Sequence, residues 1–295
     1  MCDEFTLRDQ DQAPAPDPSG RGVTRRQFAA LGSAAALAGC AGSRAGAEAG
    51  ESLRERTVMI TTQDGVADCF FVHPAKGAHP GVILWPDIAG LRDAKKIMAR
   101  SLAASNYAVL VVNQYYRSSP APVMESFADF MKEGARQQVM TYRELLTPDA
   151  VTRDARAYVA FLDGDDAVDK ARAIGTQGYC MGGPFTVRTA AAAPGRVGAA
   201  ASFHGGGLVT AGPDSPHRLL KDTQASYLIA VARNDDARAP GDKDEFRKAA
   251  DAAGRAAEIE VYGADHGWCV PDSPSFDPNE ADRAWQRLLA LYARL

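Results

Sequence analysis

Ala173-Ile174-Gly175-Thr176-Gln177-Gly178-Tyr179-Cys180-Met181-Gly182-Gly183 is the stretch that decides how this chain folds. A strand pattern runs into Gly-x-Cys-x-Gly, and the helical pattern Phe185 to Ala192 follows at once. A residue at such a strand-to-helix corner is held in a strained turn, and side chains two positions to either side of it would collide. Glycine at 178 and 182 removes that collision. The corner also aims the Cys180 sulfur at a helix N-terminus, where unpaired N–H groups favour a thiolate.

Working outward, short apolar runs alternate with helical patterns. Strands are predicted at 57–62, 66–73, 81–86, 107–113, 173–179, 198–203, 226–232 and 257–262. The alternation predicts an α/β fold: a mostly parallel central sheet of about eight strands with helices on both faces. The first two runs alternate in polarity and are expected to pair antiparallel at one edge. Ala155, Tyr158, Val159 and Leu162 share a helical face, as do Ala281, Trp285, Leu288 and Tyr292. Met124, Phe127, Phe130 and Met131 fit one helical face within 114–150, a segment long enough to cap a site.

Composition excludes some functions. Net charge is −4, the pI is near 5.8, and no basic patch carries interleaved aromatics, so nucleic acid is not an expected partner. Residues 1–53 read as a leader and tether, and residues 54–295 as one domain. Arg25-Arg26 before Phe28, a short apolar run, and Leu37-Ala38-Gly39-Cys40 resemble a twin-arginine export signal ending in a lipobox. The expectation is an exported protein of the periplasm or cell envelope, cleaved before Cys40 and tethered to the membrane by its lipidation. Only Cys69, Cys180 and Cys269 then remain in the domain, which is no disulfide framework.

A thiolate nucleophile needs a base, and the base needs an orienting acid. α/β-Hydrolases place them in the chain order nucleophile, acid, histidine. Of the five histidines, His266 in Ala264-Asp265-His266-Gly267-Trp268 lies after the last strand and before the final helix, where that order puts the base. The acid belongs after strand 226–232, at Asp235 or Asp236; Asp236 is preferred because Pro240 follows four residues on. Oxyanion donors are expected at the backbone N–H groups of Met181 and Ile88.

With these residues assembled, positions 55–295 resemble the dienelactone hydrolase family. Gly178-Tyr179-Cys180-Met181-Gly182-Gly183, Asp236 with Pro240, His266-Gly267 and Tyr115-Tyr116-Arg117 carry the resemblance. It implies a Cys180–His266–Asp236 triad that hydrolyses a small-molecule lactone or ester through an acyl-thioester, with no metal and no organic cofactor. It places Asp87 where a family glutamate contacts the resting cysteine, and Arg117 where an arginine binds the substrate carboxylate. Trp268, next to the histidine, joins them as a candidate substrate contact, and a monomer is expected. A second family arginine after the histidine is missing, since the chain reads Gly267-Trp268-Cys269-Val270-Pro271. Two rival readings are a non-catalytic surface protein on a hydrolase scaffold and a redox protein in which Cys269 pairs with Cys180.

Overall fold

A computed structural model of the chain describes residues 52–295, so the expected leader and its lipobox lie outside the described residues. The strands are β1 (Leu53–Thr62), β2 (Gly65–Pro74), β3 (Gly81–Trp85), β4 (Ala108–Val111), β5 (Ile174–Tyr179), β6 (Val197–Phe203), β7 (Ser226–Ala232) and β8 (Ala257–Tyr262). All eight expected runs are strands. The first starts at Leu53, one residue inside the segment read as tether.

They form one eight-stranded sheet in the order β1-β2-β4-β3-β5-β6-β7-β8. β1 pairs antiparallel with β2, and β2 with β4; every later pairing is parallel. The helices are α1 (Asp93–Ala103), α2 (Phe127–Phe130), α3 (Ala135–Arg143), α4 (Pro148–Gly164), α5 (Gly183–Ala192), α6 (Pro216–Leu219), α7 (Arg233–Arg238), α8 (Asp242–Ala252) and α9 (Pro278–Tyr292).

β3 shows how the sheet divides the core. Its five residues are all buried, as a parallel strand covered on both faces must be. Successive side chains point to opposite faces. Ile83 and Trp85 join a cluster with α4, α5 and α8, through residues such as Tyr158, Val187 and Phe246. Val82 and Leu84 join a second cluster with α1 and α9, through Leu102, Leu288 and Tyr292. No helix among the described residues is long and apolar enough to cross a membrane.

The segment 114–150 departs from its reading. α2 is a single turn opened by a Ser126–Asp129 capping box, so the expected four-residue helical face does not exist. Met124, Phe127 and Phe130 are buried, whereas Met131 stands 39% exposed. The strand order reverses at β3, whose neighbours β4 and β5 diverge from it, and open α/β sheets form their sites outside the carboxyl ends of strands at such a point.

Candidate active site

The first component is the corner after β5. Cys180 has φ 53°, in the left-handed region that a side chain adopts only at a cost of order 1–3 kcal/mol. The two flanking glycines are required by close approach. A Cβ at Gly178 would lie 2.1 Å from the Gly182 carbonyl oxygen, and one at Gly182 would lie 2.5 Å from the Pro86 carbonyl oxygen. Pro184 occupies the first turn of α5, where its missing N–H leaves no helical bond unmade. Cys180 itself is 6% exposed.

The base comes from the loop after β8. His266 Nδ1 donates to Asp235 Oδ2 at 2.7 Å, and the His266 backbone N–H donates to Asn234 Oδ1 at 2.9 Å. Arg233 and Asp265 form an ion pair at 2.9 Å, a further tie between the loop after β8 and α7. The acid beside the histidine is therefore Asp235 and not Asp236, which instead accepts from Lys243 Nζ at 2.6 Å. The reason is helical. Residues 233–238 form α7 rather than an irregular loop, and consecutive residues in a helix diverge by about 100°. Only one of two adjacent aspartates can face the histidine, and the spacing to Pro240 does not register that turn.

The third component was not anticipated. His204, at the end of β6, reaches φ 41° and is 2% exposed. Its ring meets the His266 ring edge-on at 4.5 Å between centroids and the Trp268 ring at 5.3 Å. Burial, and then the neighbouring His266, push its pKa well below the ordinary histidine range, so the ring stays neutral. Ligand atoms of Cys180, His204 and His266 all lie within 4.8 Å of one another. Phe203-His204-Gly205-Gly206 after a strand was visible in the sequence, but only the order of the sheet reveals that β6 ends beside β5.

Three expected substrate contacts are engaged within the protein. Asp87 is 3% exposed and bonded to Arg92 Nη1 and Lys95 Nζ, each at 2.8 Å. Burial alone would raise its carboxyl, but the Arg92 and Lys95 charges outweigh burial and hold it well below the usual carboxylate range. Both of its oxygens are engaged by these cations. Arg117 bonds Asp64 at 2.6 Å and Asp154 at 2.8 Å, clamping the β1–β2 turn to α4. Trp268 is wholly buried and stacked on Tyr262 at 5.0 Å. Cys269 is likewise packed, and burial pushes its thiol up to about 12, which disfavours its thiolate.

The loop after β3 is rigidly held. The Asp87 carbonyl accepts from Gln114 Nε2 at 2.8 Å and from the Gly90 N–H at 2.9 Å, and the Ile88 carbonyl accepts from Tyr115 Oη at 2.8 Å. Met181, Pro184, Phe185 and Gly206 line a cavity of about 390 Å³ with Met140, Arg143, Glu144 and Leu146 of the capping segment. A second cavity of about 420 Å³ runs from Gly205 past Asp235.

Comparison with known proteins agrees with this arrangement. The chain is 29% identical to a Methylorubrum extorquens protein provisionally named carboxymethylenebutenolidase, over 78% of each chain. A protein of Escherichia coli K12 with the same provisional name is 27% identical, over 79% of this chain and 89% of the other. Among solved structures, a Klebsiella pneumoniae protein provisionally named dienelactone hydrolase superposes with a TM-score of 0.71 at 22% identity, covering 83% of this chain and all of that one. A dienelactone hydrolase-like promiscuous phosphotriesterase from metagenomic libraries gives 0.68 at 20% identity, over 82% and 98%. A sequence profile of the dienelactone hydrolase family matches residues 67–295. With that match spanning most of the chain, and with the sheet and corner of an α/β-hydrolase beneath it, the protein belongs to the dienelactone hydrolase family and is a hydrolase of that kind.

Proposed function

We propose that the enzyme cleaves a lactone or carboxylic ester by attack of the Cys180 thiolate, through an acyl-thioester. One observation carries this reading: a cysteine on a strained corner stands within 4.8 Å of an imidazole whose far nitrogen is bonded to Asp235 at 2.7 Å. The Asp235 carboxylate can only accept, which fixes the Nδ1–H tautomer and turns the basic nitrogen toward the sulfur. His266 takes the thiol proton. The thiolate attacks the carbonyl carbon and the oxygen becomes an oxyanion.

Two backbone N–H groups suit that oxyanion. Met181 follows the nucleophile at the start of the helical run. The Asp87–Ile88 peptide is trans, and its carbonyl is bound to Gln114 on one side, so the Ile88 N–H points to the other. Collapse of the oxyanion breaks the C–O bond, and the leaving oxygen takes the proton from His266. Water, deprotonated by the same ring, then attacks the thioester and frees the acid. A thiolate leaves more readily than an alkoxide, so good leaving groups such as enolates and phenolates are favoured over amines. With Arg117 and Asp87 committed to the fold, Arg143 in the 390 Å³ cavity is the cation available to a substrate anion. The leader reading belongs to the same proposal and makes this a cell-envelope enzyme.

The test is a screen of aryl esters and enol lactones with mass mapping of the trapped intermediate. The expected result is an acyl adduct on Cys180 and turnover lost in Cys180→Ala. Turnover retained in that variant would end the reading.

A further inference from the structure

We propose that Cys180, His204 and His266 form a three-ligand site for a soft divalent cation, zinc above all, and that its occupation reversibly stops the enzyme. The binding half of this inference does not require Cys180 to be the nucleophile; the inhibitory half rests on that reading.

The hydrolytic cycle uses one imidazole, yet the site holds two. His204 is 2% exposed, and neither of its ring nitrogens has a hydrogen-bond partner in the protein. Buried polar atoms left in that state cost about 1–3 kcal/mol each. Its backbone at φ 41° adds strain of a kind that clusters at ligand sites. Trp268, Tyr179 and His266 pack around the ring at centroid distances of 5.3, 6.1 and 4.5 Å, leaving it little freedom to turn away.

One thiolate and two imidazoles match the preferences of zinc, whereas magnesium and calcium take oxygen ligands. Zinc–nitrogen and zinc–sulfur bonds of about 2.0 and 2.3 Å place tetrahedral ligands roughly 3.3–3.6 Å apart. The three ligand atoms lie within 4.8 Å of one another, so the set has to draw in by no more than about 1.5 Å. Asp235 behind His266 is the carboxylate that commonly orients a metal-bound histidine. The 390 Å³ cavity lined by Met181, next to Cys180, and by Gly206, two residues after His204, is the space from which a fourth ligand would come. On binding, the ion displaces the Cys180 thiol proton to solvent and occupies the lone pairs of both sulfur and His266, so neither attack nor proton transfer can proceed.

The experiment titrates the metal-free, full-length chain with Co²⁺ under a non-thiol reductant. The expected result is one equivalent bound with a thiolate-to-cobalt charge-transfer band and tetrahedral d–d bands, which Zn²⁺ abolishes by competition. Aryl-ester turnover should fall over the same Zn²⁺ range and return on chelation. His204→Ala should lose the band at Co²⁺ concentrations that saturate the wild type, Asp235→Asn should weaken binding roughly 10- to 100-fold, and Cys269→Ala should keep it. No thiolate band in the wild type, or an unchanged band in His204→Ala, would overturn the site. Should that variant fail to fold, wild-type protein alkylated at Cys180 decides instead: loss of the band supports the site and persistence refutes it. Binding without any effect on turnover would remove the inhibitory half.

Discussion

Two constellations of polar groups lie within a few residues of each other at the carboxyl ends of the sheet, and they are built in opposite ways. In the first, Asp87, Arg92 and Lys95 are buried together. Arg92 reaches Asp272 at 2.7 Å, and Asp272 also accepts the Phe127 N–H at 2.9 Å. Every charge there faces an opposite charge, and Lys95 lies 4.3 Å from the centroid of the Tyr179 ring. The network ties the Ile88 loop, α1, the capping turn and the segment after His266 into one piece. In the second, Cys180 is strained, Asp235 borders one cavity, and Met181, next to the cysteine, borders another. A closed set of charges holds a shape, while a nucleophile whose neighbours line open space can meet a substrate.

The sharpest way to break this contrast is Cys180→Gly. Turnover should fall to background while the melting temperature rises, because glycine adopts φ 53° without a penalty of order 1–3 kcal/mol. An ester assay and a thermal melt on the same preparation check both halves. Next comes the aspartate pair. Asp235→Asn should lower kcat by about 10⁴-fold, as loss of the tautomer-fixing carboxylate does in related triads. Asp236→Asn removes only a partly exposed pair with Lys243 and should change kcat by less than about threefold. Equal effects would refute the assignment of Asp235.

The closed network should respond in stability rather than chemistry. Asp87→Asn leaves Arg92 and Lys95 buried with less counter-charge, at a cost of about 3–5 kcal/mol, or roughly 10 °C in Tm. Because the Asp87 carboxyl is held below its ordinary value, its contribution is complete above the unfolded pKa and is lost as pH falls below about 4. The Tm gap between wild type and Asp87→Asn should thus be constant from pH 8 to 5 and narrow under more acidic conditions. Thermal melts across that range check it.

How much of this was legible in the sequence follows from the range of the signals. The eight strands were readable because each is a local apolar run, and Cys180 and His266 because each sits in a short motif at a fixed place in strand order. Asp235 against Asp236 was not readable, since one helical turn decides it and α7 is only six residues long. The ion pairs of Asp87 and Arg117 were illegible for a different reason. A charged side chain beside a site looks the same in sequence whether it faces ligand or counter-ion, and their partners Lys95, Asp64 and Asp154 become neighbours only in the folded chain. His204 needed the pairing of β5 with β6.

The smallest expected effect concerns Arg143, the arginine that the closed network and the β1–β2 clamp leave to the cavity. It lies at the end of α3 and lines a cavity with Met181 and Gly206, so a substrate anion that enters this cavity meets its charge. The site is partly solvated, which limits the interaction to a fraction of the 1.5–3 kcal/mol of a buried charged hydrogen bond. Arg143→Ala should therefore raise KM for a carboxylate-bearing lactone roughly five- to tenfold while leaving kcat, and both constants for a neutral aryl ester, nearly unchanged. A uniform loss on both substrates would mean that Arg143 supports the cap rather than selects the ligand. No loss on either would place the anion elsewhere, and neighbouring Glu144 would then give the cavity a preference for neutral esters.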